Sequence, residues 1–311
     1  MAYQQTTATS VEDLIDKVAT FATGLGWTVE RNTIVSGNRI VSLKRASSDF
    51  IHIFNTDTVN LRLRASTGIN TGVAVSSQPG VSTAEAVANC GAGPFATVFF
   101  FGDSTPSNYI HCTFDTGSAI FRHFSLGEVQ KIGTWTGGTY FDATFVEPSS
   151  SFNANPTTTQ NRVMFSMGAS TGVEGGVRCD VDGNTNYFAP IADIGSFTTP
   201  TVICGGTNGS QSPESRDQEG FHLASVNSWS GITPLRPIKM RVERGSGFFS
   251  EIAYVPGIRR VNLQRWAVGD EFSIGPDTWK VFPWWRQGTR PTGDTTSPYS
   301  DQYGFAFLKT L

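Results

Sequence analysis

Val11, Leu14, Ile15, Val18, Ala22 and Leu25 recur at helical spacing and predict one amphipathic helix near the start of the chain. Ser10 is placed to cap it, Asp13 three residues on fits a capping box, and Glu12 suits the first turn. Gly26 supplies a left-handed stop. Beyond it the apolar period falls to two. Strands are predicted at Trp27–Arg31, Arg39–Lys44, Phe50–Phe54 and the alternating Val59–Ala65, with a turn at Ser36-Gly37-Asn38. A helix on a small antiparallel sheet is the natural unit for such a segment.

Gly68–Gly93 reads as a loop, turning at Ser76-Ser77-Gln78-Pro79-Gly80. Strand signals resume at Ala96–Phe101, Ile110–Phe114, Ile120–Leu126 and Tyr140–Phe145, divided by Gly-bearing turns. After the polar stretch Pro148–Gln160 they return at Val163–Ser166, Gly176–Val181, Tyr187–Ala189 and Thr201–Ile203. A second polar segment, Gly205–Gly220, precedes Ile238–Val242, Phe248–Tyr254, Phe272–Ile274 and Lys280–Trp285. Alternating aromatics at Tyr303–Leu308 suit a closing strand. The expected fold is mainly β, a small N-terminal α+β unit over residues 1–75 followed by an antiparallel β-sandwich-like region with long loops over 76–311. No repeat with a period of roughly 20–50 residues is present.

Composition sharpens the picture. Charged residues make up 16% of the 311, against roughly 25% in an ordinary soluble domain, and aromatic residues reach 12%. Interface cores lack charge and favour aromatics, so this balance points to permanent assembly. The net charge of −3 leaves no basic footprint, and no nucleic-acid partner is expected. The densest apolar run, Val98–Phe101, is far shorter than the roughly 20 residues of a membrane span. The opening Met1-Ala2-Tyr3-Gln4-Gln5 has neither a basic nor an apolar leader region, so folding in a cytoplasm is expected. Cys90, Cys112, Cys179 and Cys204 form no Cys-x-x-Cys pair and read as buried, reduced side chains.

Motifs that carry chemistry are scarce, and neither catalytic residues nor a cofactor or metal are expected. Gly91-Ala92-Gly93-Pro94-Phe95-Ala96 imitates a dinucleotide fingerprint but leads into a β run, not a helix. Asp180, Asp182 and Asn184 alternate as calcium ligands would, yet Gly183 comes too early and no bidentate Glu follows; an Asp-Gly turn explains the letters more simply. His52, His111 and His123 lie inside strand runs and, with His222, read as ordinary strand histidines. Asp103, Glu128 and Glu147 are the carboxylates a glycosidase would draw on. The aromatic and Arg residues Trp135, Trp284, Trp285 and Arg286 are candidate assembly contacts, since adjacent Trp residues on a strand face opposite ways.

Three stretches together resemble virion proteins of tailed bacteriophages. They are Asp13-Leu14-Ile15-Asp16-Lys17 with Phe21 and Gly26-Trp27-Thr28-Val29; Phe121–Glu128 with Lys131, Gly133 and Trp135–Gly138; and Trp279–Trp285 with Tyr303–Phe307. The resemblance implies a structural protein of the neck, collar, tail or baseplate, with no functional residues to transfer. It implies a virion location and a homo-oligomer ringed about the virion axis, contacting other virion proteins. Gly68–Gly93, Pro148–Gln160 and Gly205–Gly220 are then candidate contact arms. The main alternative is a tail or baseplate protein that binds a host receptor or glycan through aromatic platforms. A polysaccharide-cleaving enzyme and a capsid-decorating protein are further rivals.

Overall fold

Ser10 does cap the helix: its Oγ accepts from the Asp13 backbone N–H at 3.2 Å. The Asp13 carboxylate reaches back one residue further than a capping box requires and accepts from the Thr9 N–H at 2.8 Å. At the other end Trp27 N–H bonds to Ala22 O and Gly26 N–H to Thr23 O, with Gly26 at φ 80°, a Schellman stop. In the computed structural model the residues described are 2–45, 50–81, 86–117, 119–134, 140–144, 175–179, 186–188, 202–204, 235–243, 249–263, 265–283 and 303–309.

Strand β1 (Ala2–Ala8) precedes the helix α1 (Val11–Gly24). The strands β2 (Thr28–Val35), β3 (Asn38–Lys44), β4 (Phe50–Asn55), β5 (Asn60–Ser66) and β6 (Ala86–Asn89) form a meander sheet in that order. Next come β7 (Phe95–Asp103), β8 (Tyr109–Asp115), β9 (Phe121–Glu128), β10 (Gln130–Lys131), β11 (Tyr140–Thr144), β12 (Gly175–Cys179), β13 (Asn186–Phe188) and β14 (Val202–Cys204). The last third supplies β15 (Arg236–Glu243), β16 (Phe249–Asn262), β17 (Glu271–Ile274), β18 (Asp277–Pro283) and β19 (Tyr303–Leu308). A central sheet runs β1-β7-β8-β9-β11-β12-β13, and a C-terminal sheet runs β14-β15-β16-β19-β18-β17 with β10 beside β16. The fold is mainly β with antiparallel sheets and one helix near the N-terminus, as the periodicity predicts.

Both faces of the central sheet are covered. Val98, Phe100, Ile110, Cys112, Phe114, Phe124 and Leu126 join α1 and the inner face of the meander sheet in one cluster of buried residues. Phe21 of α1 stacks on Phe100 at 5.2 Å. On the opposite face Phe101 stacks on Phe307 at 5.0 Å and Phe99 meets Phe282 at 4.8 Å, closing a sandwich with the C-terminal sheet. Side chains alternate between faces along a strand, so the run Val98–Phe101 feeds two cores at once.

Strand pairing crosses residue 75. β1 pairs with β7 of the central sheet, whereas β6, beyond residue 75, pairs with β5 and completes the meander. The Gly68–Gly93 stretch also holds more structure than a loop. Besides β6 it has a 3-10 turn at Val75–Ser77, and Val75 packs on Ile40 and Phe54. The Gln78 side chain holds it together, accepting from Asn70 N–H at 2.6 Å and donating to Asn70 O at 2.8 Å. Pro148–Gln160, Val163–Ser166 and Gly205–Gly220 lie outside the described residues.

Strand β16 runs on to Asn262 through a wide irregularity. Ile238 pairs with Val255 and Pro237 with Arg259, so Pro256 and Gly257 have no register partner on β15. Gly257 (φ +66°) lies against the ring of Tyr109, and a Cβ there would stand 2.2 Å from Tyr109 Cζ. Gly257→Ala is therefore expected to destabilise by about 1–3 kcal/mol through overpacking in a left-handed backbone. Phe101→Ala, which empties a fully buried site, is expected to cost about 3–5 kcal/mol. Urea unfolding midpoints measure both.

Candidate functional site

The β2–β3 hairpin projects beyond the sheet that carries it. Val35 pairs with Asn38, and the two residues between, Ser36 (φ 52°) and Gly37 (φ 83°), both take positive φ, the type I′ turn that matches strand twist. From Asn32 to Gly37 every residue is exposed. Ile34 and Val35, adjacent and so on opposite faces, are 60% and 46% exposed. β2 is also the outermost strand of its sheet, and the bulge between Val29 and Arg31 stops short of the tip. Ile274, 52% exposed, ends β17 at the edge of the C-terminal sheet. Open edges with apolar side chains are ready templates for pairing with another chain unless something covers them.

Beside the hairpin an open groove of about 500 Å³ is lined by Asp16, Ala19, Thr20, Thr23, Val29, Asn32 and Arg39. Its polar side is preset: Arg39 binds Asp16 at 2.8 Å and donates to Asn32 Oδ1 at 3.0 Å. Thr20 and Thr23 donate back to helix carbonyls at 3.0 and 2.9 Å, which leaves their lone pairs for solvent or a ligand.

The strand histidines are buried within hydrogen-bonded rows. Ser66 donates to Gly68 O at 2.6 Å, so it accepts from His52 Nε2–H at 2.8 Å, and His52 Nδ1 accepts from Ser42 at 2.8 Å. Burial, aided by Arg31 and Arg64, holds the His52 pKa down to about 4. On the central sheet, His111 donates from Nε2 to Pro256 O at 2.7 Å and His123 from Nε2 to Pro283 O at 2.9 Å, each spanning the sandwich. His222 lies outside the described residues.

The candidate carboxylates are committed to turns and seams. Asp103 accepts from the Ser104 N–H at 2.8 Å, and Glu128 accepts from Asn108 Nδ2 at 2.7 Å; Glu147 lies outside the described residues. Asn108 in turn takes Arg45 Nε at 2.8 Å, and Arg45 also reaches Gly26 O, tying the end of β3 to α1 and β8. Cys90 and Cys112 are free and buried; burial pushes the Cys90 thiol up to about 12 and raises Cys112 as well, an inert state. The side chains of Cys179 and Cys204 are outside those described. Gly91 and Gly93 do lead into strand β7, and Gly93 packs on the Thr9–Ser10 backbone ahead of α1. Among the described residues no group of three or more His, Cys, Asp or Glu could hold a metal, and no helix is long and apolar enough to cross a membrane.

Trp135, Trp284, Trp285 and Arg286 fall outside the described residues, as do Asp180, Asp182 and Asn184. Among the described residues the large apolar side chains that are exposed are instead Ile34, Val35, Ile132 and Ile274. Sequence alone does not single them out, because a strand-tip Ile and a core Ile carry the same periodicity. The turn at Ser36-Gly37 was the available signal.

A histidine held neutral by burial binds a proton only when unfolded. The stability it contributes is full above its ordinary pKa of 6.5 and falls as pH drops from there towards about 4. For His52 the expected slope is about 1.4 kcal/mol per pH unit across that window. Urea midpoints taken between pH 7.5 and 4 test this, and His52→Gln should flatten the slope by one proton. No protein-family model matches the chain, and no curated protein matches it.

Proposed function

We propose that the chain is a structural component of a tailed-phage virion, a homo-oligomer of the neck, collar or tail assembly that holds other virion proteins together. The observation that carries this reading is the uncovered apolar tip of the β2–β3 hairpin, Ile34 and Val35, on an edge strand. Native chains normally blunt such edges with Lys, Pro or a bulge; Asn32–Val35 has none of these. The low charge of 16% is in keeping with surface that is desolvated at little cost. Of the stretches that carry the resemblance, the first forms α1 and opens β2, and the others include β9, β18 and β19, whose rings fill the sandwich core; they speak for a shared framework and not for a reaction.

A second reading, host-glycan recognition, has the α1–hairpin groove in its favour. A linked Asp, Arg and Asn with outward Thr hydroxyls suits a polyhydroxylated ligand.

Light scattering on the purified chain, with electron microscopy of particles carrying a labelled copy, tests the main reading. The wild type is expected to form closed oligomers and to appear in particles. Ile34→Asp with Val35→Asp is expected to leave the monomer as stable, within about 0.5 kcal/mol, because both sites are exposed. The pair should weaken association at least tenfold. A monomer absent from particles overturns the reading, and glycan binding lost with Arg39→Lys would favour the second.

A further inference from the structure

His111 stands on the face of β8 that looks away from α1. Its ring is fully buried and is closed in by Tyr109 at 4.8 Å, Phe307 at 5.7 Å and Phe141 at 6.2 Å. Both nitrogens are used. The Pro256 carbonyl can only accept, so Nε2 carries the hydrogen and Nδ1 of the neutral ring accepts from Ser125 at 2.8 Å. The carbonyl is open to His111 because Pro256 has no partner on β15.

The charged and titratable groups around the ring do not welcome a second proton. Arg259 on β16 faces it as a cation, and Tyr109 lies on its own strand. Asp103 on β7 and Asp277 on β18 act on Tyr109. From β9, β11 and β19 the ring meets Ser125, Phe141 and Phe307, and His123, two residues from Ser125 on the same face of β9, stacks on the same Phe307 at 6.0 Å and bonds to Pro283 O. Ser125 can turn to accept from a protonated Nδ1, so the cost of protonation is a charge buried beside Arg259, not a lost hydrogen bond. Burial holds the pKa down to about 3, with Arg259 assisting and the Pro256 hydrogen bond opposing.

We propose that the interface between the central and C-terminal sheets opens in acid through proton uptake by His111, while the core around α1 stays closed. A displaced C-terminal sheet puts this ring in water, where it binds a proton freely. Each pH unit below about 6.5 then favours the open form tenfold, about a hundredfold at pH 4.5. The other face of the central sheet keeps its contacts with α1 and the meander, through Phe100, Ile110 and Leu126. This inference stands apart from the virion reading.

The full-length chain is titrated from pH 7.5 to 4 with the dye ANS, which binds exposed apolar surface, and hydrogen exchange corrected for intrinsic rate follows α1. Dye binding is expected to rise in acid while Leu14–Ala22 keep their protection. His111→Gln offers Pro256 an N–H but takes up no proton, and should lower the midpoint by a pH unit or more. Arg259→Met removes the facing cation, keeps an apolar stem near Trp279, and should lower it by less; if the Gln variant does not fold at pH 7.5, this variant decides. No dye binding down to pH 4, a midpoint that the deciding variants leave unmoved, or loss of α1 protection at the same pH overturns the proposal.

Discussion

Burial of the central sheet on both faces is the constraint from which the rest follows. A sheet with one wet face alternates apolar and polar residues; one covered twice cannot. Val98, Phe99, Phe100 and Phe101 meet that demand by placing successive rings in two different cores. Polar residues on these strands must then find partners inside. His111, His123 and Ser125 do so, and two of their hydrogen bonds become links between sheets.

Each outer sheet turns one face to the central sheet; the far face of the C-terminal sheet carries a smaller apolar cluster of its own, Val261, Leu263, Trp279, Val281 and Ala306. The meander sheet covers part of its outer face with residues 67–81, pinned by Gln78 and by Arg31 reaching Val73 O at 2.8 Å. Beyond that cover the hairpin tip stands bare. A protein that buries its aromatic residues in internal clusters and leaves Ile34 and Val35 in water has surface suited to a neighbour. The same division separates the two kinds of polar feature: hydrogen-bonded histidines inside, and the Asp16–Arg39–Asn32 network at the rim.

Rigidity follows the same plan. The core around α1 is held by interlocked apolar residues, and the buried His52 of the meander lies on that sheet's other face. The sandwich interface relies in addition on the His111 imidazole, which must stay neutral. One stack of layers therefore contains interfaces with different responses to pH.

The helix and most strands were legible because local pattern decides them: the 3.6-residue spacing of Val11–Leu25, the cap at Ser10, the alternation of β5 and the aromatics of β19. β1 was not, because Ala2–Ala8 has no apolar face and is held as an edge by its ladder to β7 and by Tyr3 on Phe101. The far half of β16 hid behind Pro256-Gly257, which reads as a break in one dimension and is a keyed bend in three. The pairings that cross residue 75, β1 with β7 and β5 with β6, were hidden for the same reason, since both join segments distant in sequence. Sequence by itself determined which segments bury a face, because periodicity is local. Only the tertiary structure decided what each face meets, including which isoleucines end in water and which histidines join two sheets, because burial belongs to the assembled layers and not to the chain.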